Sequence, residues 1–98
     1  MTTPSGVLTS GRLINIGTTA LQITQDNIIC AFGVVVKANR NNEGNVYVGP
    51  KGVTIGVGPA TDGLELCPGE AVFIEVDNAS KIYVIALAYS QQISFIAV

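Results

Sequence analysis

The chain has 98 residues, of which 48% are hydrophobic and only 12% are charged, with a formal net charge of −2 and no histidine. This length suits one domain, whereas an ordinary soluble domain carries about 25% charged residues. The basic residues are spread along the sequence, which excludes the row of cations that nucleic-acid binding requires. No apolar run approaches the roughly 20 residues that span a bilayer, which excludes a membrane-spanning helix.

The first residues are small and polar and predict an N-terminal arm over residues 1–11, followed by one sandwich domain over residues 12–98. Such an arm has little reason to fold alone. It is either a frayed terminus or a segment that becomes ordered against a neighbouring subunit. It lacks the basic and apolar regions of a signal peptide, so we expect synthesis in the cytoplasm.

Strand and turn signals alternate about every 8–12 residues from Arg12 onward, as in a sandwich or barrel. The strands are predicted over residues 13–16, 20–24, 28–39, 46–48, 53–57, 64–66, 71–76, 81–89 and 93–98. Loops are predicted at 40–45 and 59–63, and a type II turn at Pro68-Gly69. No stretch has helical periodicity. The pattern predicts an all-β fold, a single antiparallel β-sandwich that is jelly-roll-like with about eight or nine strands.

Several of these strands are apolar on both alternating faces, chiefly those within residues 28–38, 82–89 and 93–98. A sandwich buries one face of each strand and leaves the other face to water. In the 71–76 strand, Val72 and Ile74 are predicted to face the core and Phe73 to face outward. We therefore expect the second apolar faces to contact another protein.

The residues that usually carry catalysis are missing or isolated. Without histidine there is no imidazole base and no Ser-His or Cys-His pair. Cys30 and Cys67 are too few for a zinc site and are expected to be free, buried thiols. Glu75 and Asp77 share a strand face as a glycosidase pair would, but carboxylates beside a turn are ordinarily solvated. We predict no enzymatic activity, no metal and no cofactor.

The remaining polar and aromatic residues suggest two kinds of binding site. A calcium site would use Asn41, Asn42 and Glu43, or Asp77 and Asn78, but the spacing does not match an EF-hand and turns use the same residues. Carbohydrate binding needs exposed aromatic platforms, and this chain has no Trp. Its three tyrosines lie in apolar strands, where core or interface packing is the ordinary role: Tyr47, Tyr83 and Tyr89.

Residues 36–98 carry a series of short motifs: VKA before an Asn-rich loop, GNVYVG, LELCPGE, SKIYVIA, and a Gln-containing turn into the last strand. This stretch resembles small β-sandwich virion proteins of tailed bacteriophages, of the head decoration or cement type. The resemblance implies a non-enzymatic protein on the outer capsid surface of the virion, made in the host cytoplasm. Its implied partners are the major capsid protein and further copies of itself, a trimer being favoured over a dimer. Tail, baseplate and fibre modules are alternatives.

The predicted interface residues fall into two groups. In the arm, the residues predicted to clasp the shell are Thr2, Thr3, Pro4, Val7 and Leu8. In the strands, the residues predicted to pack between subunits are Phe73, Tyr83, Ile85, Leu87 and Tyr89. For each strand residue, packing in the core of its own chain is the alternative.

Overall fold

Eight β-strands make up the fold in the computed structural model, which describes residues 8–98. The strands are β1 (Thr9–Ile16), β2 (Leu21–Gln22), β3 (Val34–Ala38), β4 (Val46–Gly49), β5 (Leu64–Leu66), β6 (Ala71–Ile74), β7 (Tyr83–Ala86) and β8 (Gln91–Ala97). The one helical element within these residues is a single 3₁₀ turn, Ala79–Lys81. The Asn78 side chain caps this turn by accepting a hydrogen bond from the Ser80 amide.

The strands form two four-stranded sheets in which every pairing is antiparallel. Sheet A has the order β1-β8-β3-β6 and sheet B has the order β2-β7-β4-β5. Each sheet takes strands from both halves of the chain, which is the double Greek-key arrangement of an eight-stranded jelly roll. The predicted all-β antiparallel sandwich is confirmed.

The core lies between the two sheets and follows the period of two along the strands. Sheet A contributes alternate residues of β3 and β8, and sheet B alternate residues of β4 and β7. The buried side chains from these four strands are Val34, Val36, Ala38, Ile93, Phe95, Ala97, Val46, Val48, Val84 and Ala86. On β6 the predicted alternation is also confirmed, because Val72 and Ile74 pack against the core while Phe73 is exposed.

Two predicted strands differ most from the structure. The strand predicted over residues 28–39 begins only at Val34, and Phe32 before it is 64% exposed. The segment 53–57 forms no strand; Thr54 makes a single bridge to Asp62, and Val57 is 79% exposed. In both segments the contacts with neighbouring chain are isolated bridges, as between Ile29 and Asn78, rather than a continuous ladder, so the apolar alternation extends further than the strands.

Strand β1 begins three residues before the predicted start of the sandwich domain. Thr9 pairs with Ala97 and Gly11 pairs with Phe95, so residues 9–11 belong to sheet A rather than to an arm. Four of the residues predicted to clasp the shell lie outside the described residues: Thr2, Thr3, Pro4 and Val7.

Both cysteines are free, as predicted, but only Cys30 is buried. Cys67 is exposed because it opens the turn at Pro68-Gly69, where its amide donates to the Glu70 carboxylate at 2.7 Å. The prediction of two buried thiols is therefore wrong for Cys67. In this part of the chain, no helix has the length and apolar character needed to cross a membrane.

Candidate interaction surfaces

The predicted strand residues lie on two different faces of the sandwich. Phe73 is on the outer face of sheet A and is 48% exposed. Tyr83 and Ile85 are half-buried on the outer face of sheet B. Leu87 and Tyr89 follow the end of β7 and are 68% and 72% exposed. The structure therefore brings Tyr83 and Ile85 together but separates Phe73 from them.

The outer face of sheet A carries an apolar row that crosses three strands. Val35 on β3 lies opposite Ile96 on β8 and opposite Phe73 on β6. The ring of Phe73 also lies over Gly33, where a β-carbon would come within 2.8 Å of its Cζ atom. These three side chains, Ile96, Val35 and Phe73, form the apolar row.

Two basic residues share the same face, two residues further along the strands. Arg12 on β1 and Lys37 on β3 both lie opposite Ser94 of the central strand β8. All three residues are exposed. Although Arg12 and Lys37 are 25 positions apart in the sequence, the strand register places them on either side of one serine.

Arg40 extends this basic group at the end of β3. It lines a polar hollow of about 280 Å³ together with Lys37, Asn39, Asn41 and Ser94. Among residues 8–98 the one ion pair joins Lys81 to Asp77, so no carboxylate of the described chain neutralises Arg12, Lys37 or Arg40. These three cations form the basic edge of sheet A.

The loop after β3, which lines the hollow, is hydrogen-bonded to β8. The Asn42 amide group donates to the Gln92 carbonyl at 2.9 Å and accepts from the Gln92 amide at 2.8 Å. The Asn39 amide also donates to the Gln92 carbonyl at 3.0 Å. The basic edge is therefore presented by a fixed loop and a paired strand.

The outer face of sheet B carries a hydrogen-bonded polar group among its apolar residues. Tyr47 lies between Ile85 and Glu65 across three strands, and its hydroxyl donates to Glu65 at 2.9 Å. Asn45 donates to the same carboxylate oxygen at 2.6 Å. The hydrogen bonds from Asn45 and then Tyr47 lower the pKa of Glu65, and the bond to Glu65 raises the pKa of Tyr47.

This arrangement does not make an aromatic platform for a sugar ring. Tyr47 and Tyr83 are both half-buried, and the Tyr47 hydroxyl is already engaged with Glu65. Tyr89 is the exposed tyrosine, but its ring lies against Gly17 and its hydroxyl is 3.2 Å from the Thr18 hydroxyl. Among the three tyrosines, Tyr89 is therefore the one whose ring is largely exposed for a sugar to stack on.

Three of the candidate residues for catalysis and calcium binding have local structural partners: Asp77, Asn78 and Asn42. Asp77 lies 2.8 Å from the Lys81 ammonium group, which lowers the pKa of this carboxyl, the opposite of what a general acid requires. Asn78 caps the 3₁₀ turn and donates to Asn27. No group of three or more Cys, Asp or Glu side chains suited to a metal ion occurs between residues 8 and 98.

Sequence reasoning missed the basic edge and two of the three members of the apolar row, Val35 and Ile96. Their alternation along each strand was visible, but the pairing of β1, β3 and β8 that groups them was not. Comparison with known proteins returned no match to any family model, curated protein or solved structure.

Proposed function

We propose that this protein is a structural virion protein of the capsid decoration or cement type, without catalytic activity. It binds the outer shell of a phage head and bridges neighbouring major capsid subunits. The observation that carries the proposal is the outer face of sheet A, where the apolar row lies beside the unneutralised basic edge. The resemblance of residues 36–98 to such proteins agrees with it.

The chemistry of this face suits an acidic protein surface with an apolar centre. Burial of Phe73 and its neighbours supplies the non-directional attraction, since each buried apolar side chain contributes about 1.5–3 kcal/mol. The basic edge speeds association with an acidic partner and fixes its orientation. Three cations are too few for strong phosphate-driven binding to nucleic acid.

A modest contact is sufficient for stabilisation when many copies act on one closed shell. Each copy that binds only the assembled shell favours that state by mass action. A copy that touches two capsid subunits also gains from its second contact being intramolecular. A rigid jelly roll suits this role because it loses little conformational freedom on binding.

Copies of the chain are proposed to associate with one another as well, as a trimer rather than a dimer. The exposed apolar side chains outside sheet A are available for these contacts, among them Leu87 and Tyr89. Light scattering at several protein concentrations measures the mass directly. A stable oligomer supports this part of the proposal, and a monomer at all concentrations contradicts it.

The docking face is tested with heads of the phage that encodes this protein. These heads are prepared without the protein. Purified wild type, Phe73→Ser and the control Lys51→Gln are mixed with heads and the bound fraction is measured by sedimentation. We expect Phe73→Ser to bind about tenfold more weakly, which corresponds to about 1.4 kcal/mol, and Lys51→Gln to bind normally. Lys51 is an exposed cation in the turn after β4, away from sheet A.

The basic edge contributes to head binding through its charge, and this contribution should depend on the salt concentration. Binding of the wild type should weaken as salt is raised, and the double variant Arg12→Gln with Lys37→Gln should lose most of this dependence. Equal binding by all variants would contradict docking through sheet A. Immunogold labelling of tails or fibres instead of heads would contradict the decoration role and favour the tail-module alternative.

A further inference from the structure

An apolar cleft of about 380 Å³ opens between the two sheets on the side where β5 and β6 are the edge strands. Its wall is made of aliphatic side chains from both sheets. The residues that form this wall are Val48, Pro50, Leu64, Ile74, Val76 and Ile82. The cleft is distinct from the outer face of sheet A, because Ile74 points to the opposite side of β6 from Phe73.

The cleft lies beside two short edge strands, and part of its wall is left exposed. Strand β5 has three residues and β6 has four. Leu64 on β5 lies opposite the buried Val48, yet it is 55% exposed, and Ile74 and Val76 are only half-buried. Water in contact with this wall is unfavourable by about 25 cal/mol per Å² of apolar surface.

The charges at the rim select against an anionic ligand. Glu75 and Lys81 line the cleft, and the Lys81 ammonium group is 2.8 Å from Asp77. Because Asp77 compensates Lys81, Glu75 is left as the unneutralised charge at the rim. A carboxylate or sulfonate entering the cleft would therefore meet like charge and lose its hydration.

We propose that this cleft binds a small, uncharged, apolar molecule. An apolar cavity of about 150 Å³ holds one benzene ring, so a cleft of this volume has room for two to three rings or an equivalent alkyl chain. Cavities of this size and apolar character are typical of small-molecule sites. The ligand gains by displacing water from Leu64, Ile74 and Val76.

Two dyes with the same ring system test the proposal on the whole protein. N-phenyl-1-naphthylamine is uncharged, and 1-anilinonaphthalene-8-sulfonate adds one sulfonate to the same rings. Fluorescence titration should give saturable binding of the neutral dye and at least tenfold weaker binding of the sulfonate. The amide NMR signals that shift with the neutral dye should belong to residues around the cleft, including Leu64 and Ile74.

Adjacent residues of β6 provide matched variants. Ile74→Phe fills the cleft and should reduce binding of the neutral dye at least tenfold, whereas Phe73→Ser on the outer face should leave it unchanged. Leu64→Trp, at a partly exposed position, fills the cleft a second way if Ile74→Phe does not fold. Urea unfolding and circular dichroism establish that each variant is folded.

Three results would overturn the proposal. Equal binding of the two dyes would mean adsorption to exposed apolar surface. Loss of binding in Phe73→Ser with retention in folded Ile74→Phe or Leu64→Trp would place the dye on sheet A. Binding of the dye only at dilutions where light scattering shows monomer would mean that a second copy of the chain, not a small molecule, covers the cleft.

Discussion

Gly33 immediately precedes β3 and lies close against the backbone of β6. Its backbone exchanges hydrogen bonds with Val98, at 3.2 Å from the Gly33 amide and 2.9 Å to its carbonyl. A β-carbon here would overlap the carbonyl oxygen of Ile74 and press on the Phe73 ring. The absence of a side chain therefore sets both the spacing of the sheet and the position of Phe73 on its outer face.

Gly33→Ala should destabilise the protein by about 1–3 kcal/mol, because backbone atoms of β6 must move to admit the methyl group. Gly44→Ala is the control, since its β-carbon would make an ordinary contact of 3.7 Å with Ala88. Urea unfolding gives both free energies. Equal unfolding midpoints for the two variants would show that β6 does not restrict Gly33.

For individual side chains, the alternation of residues along the strand predicted that Phe73 points outward and Ile74 points inward. Both predictions are confirmed. The alternation did not predict the exposure of Phe32 or Cys67. Both residues stand at the point where a strand gives way to a turn. There the period of two no longer fixes the direction of a side chain.

Among the connecting elements, the loop between β4 and β5 is organised around a single carboxylate. Asp62 accepts hydrogen bonds from the Thr54 hydroxyl at 2.8 Å and from the Val57 amide at 3.1 Å. These bonds, that from Thr54 first, lower the pKa of Asp62 below its ordinary value near 3.8. The carboxylate gives the loop a fixed shape although it has no strand.

Because this pKa is lowered in the folded state, ionised Asp62 stabilises the loop above a pH of about 4, and the effect is lost as pH falls through the folded pKa. Asp62→Asn should therefore be less stable than wild type near pH 7 and approach it near pH 2. Urea unfolding of both proteins at the two pH values measures the difference.

Asp26→Asn provides the matched control, since Asp26 is exposed and lies outside this loop. We expect Asp26→Asn to differ little from wild type in its free energy of unfolding. A stability difference for Asp62→Asn that is constant from about pH 7 to about pH 2 would contradict an ionised, loop-organising Asp62.

Some strands were predicted closely, whether central in a sheet or at its edge. The strands predicted at 46–48 and 64–66 match β4 and β5 closely, and 93–98 overlaps most of β8. The predicted strand at 53–57 failed because Asp62 and two threonines, Thr54 and Thr61, bond this segment into a loop instead. Such side-chain hydrogen bonds compete with strand pairing. The apolar alternation of the sequence does not indicate them.

The whole molecule is tied together by pairings between distant parts of the chain. Strand β8 lies between β1 and β3, and β7 lies between β2 and β4. Sequence alternation predicted the number of strands and the two-layer fold, but not which strands are neighbours. The grouping of Arg12 with Lys37 depends on those neighbours, which is why the basic residues looked scattered.

These distant pairings should make folding slow for a chain of this size, since loop closure must precede the contacts that stabilise it. Refolding after dilution from urea is expected to take milliseconds to seconds. The chain has three Tyr and no Trp, so stopped-flow tyrosine fluorescence reports the reaction. Complete refolding within microseconds would contradict a transition state that requires the β1–β8 pairing.

The antiparallel pairing of Thr9 with Ala97 has a practical consequence for engineering. The start of β1 and the end of β8 therefore lie at the same end of sheet A, on adjacent strands about 5 Å apart. A guest peptide joined before β1 and another joined after β8 would emerge side by side. Joining those two positions with a short linker and opening the loop at Val57 would give a circular permutant with its new ends at an exposed tip.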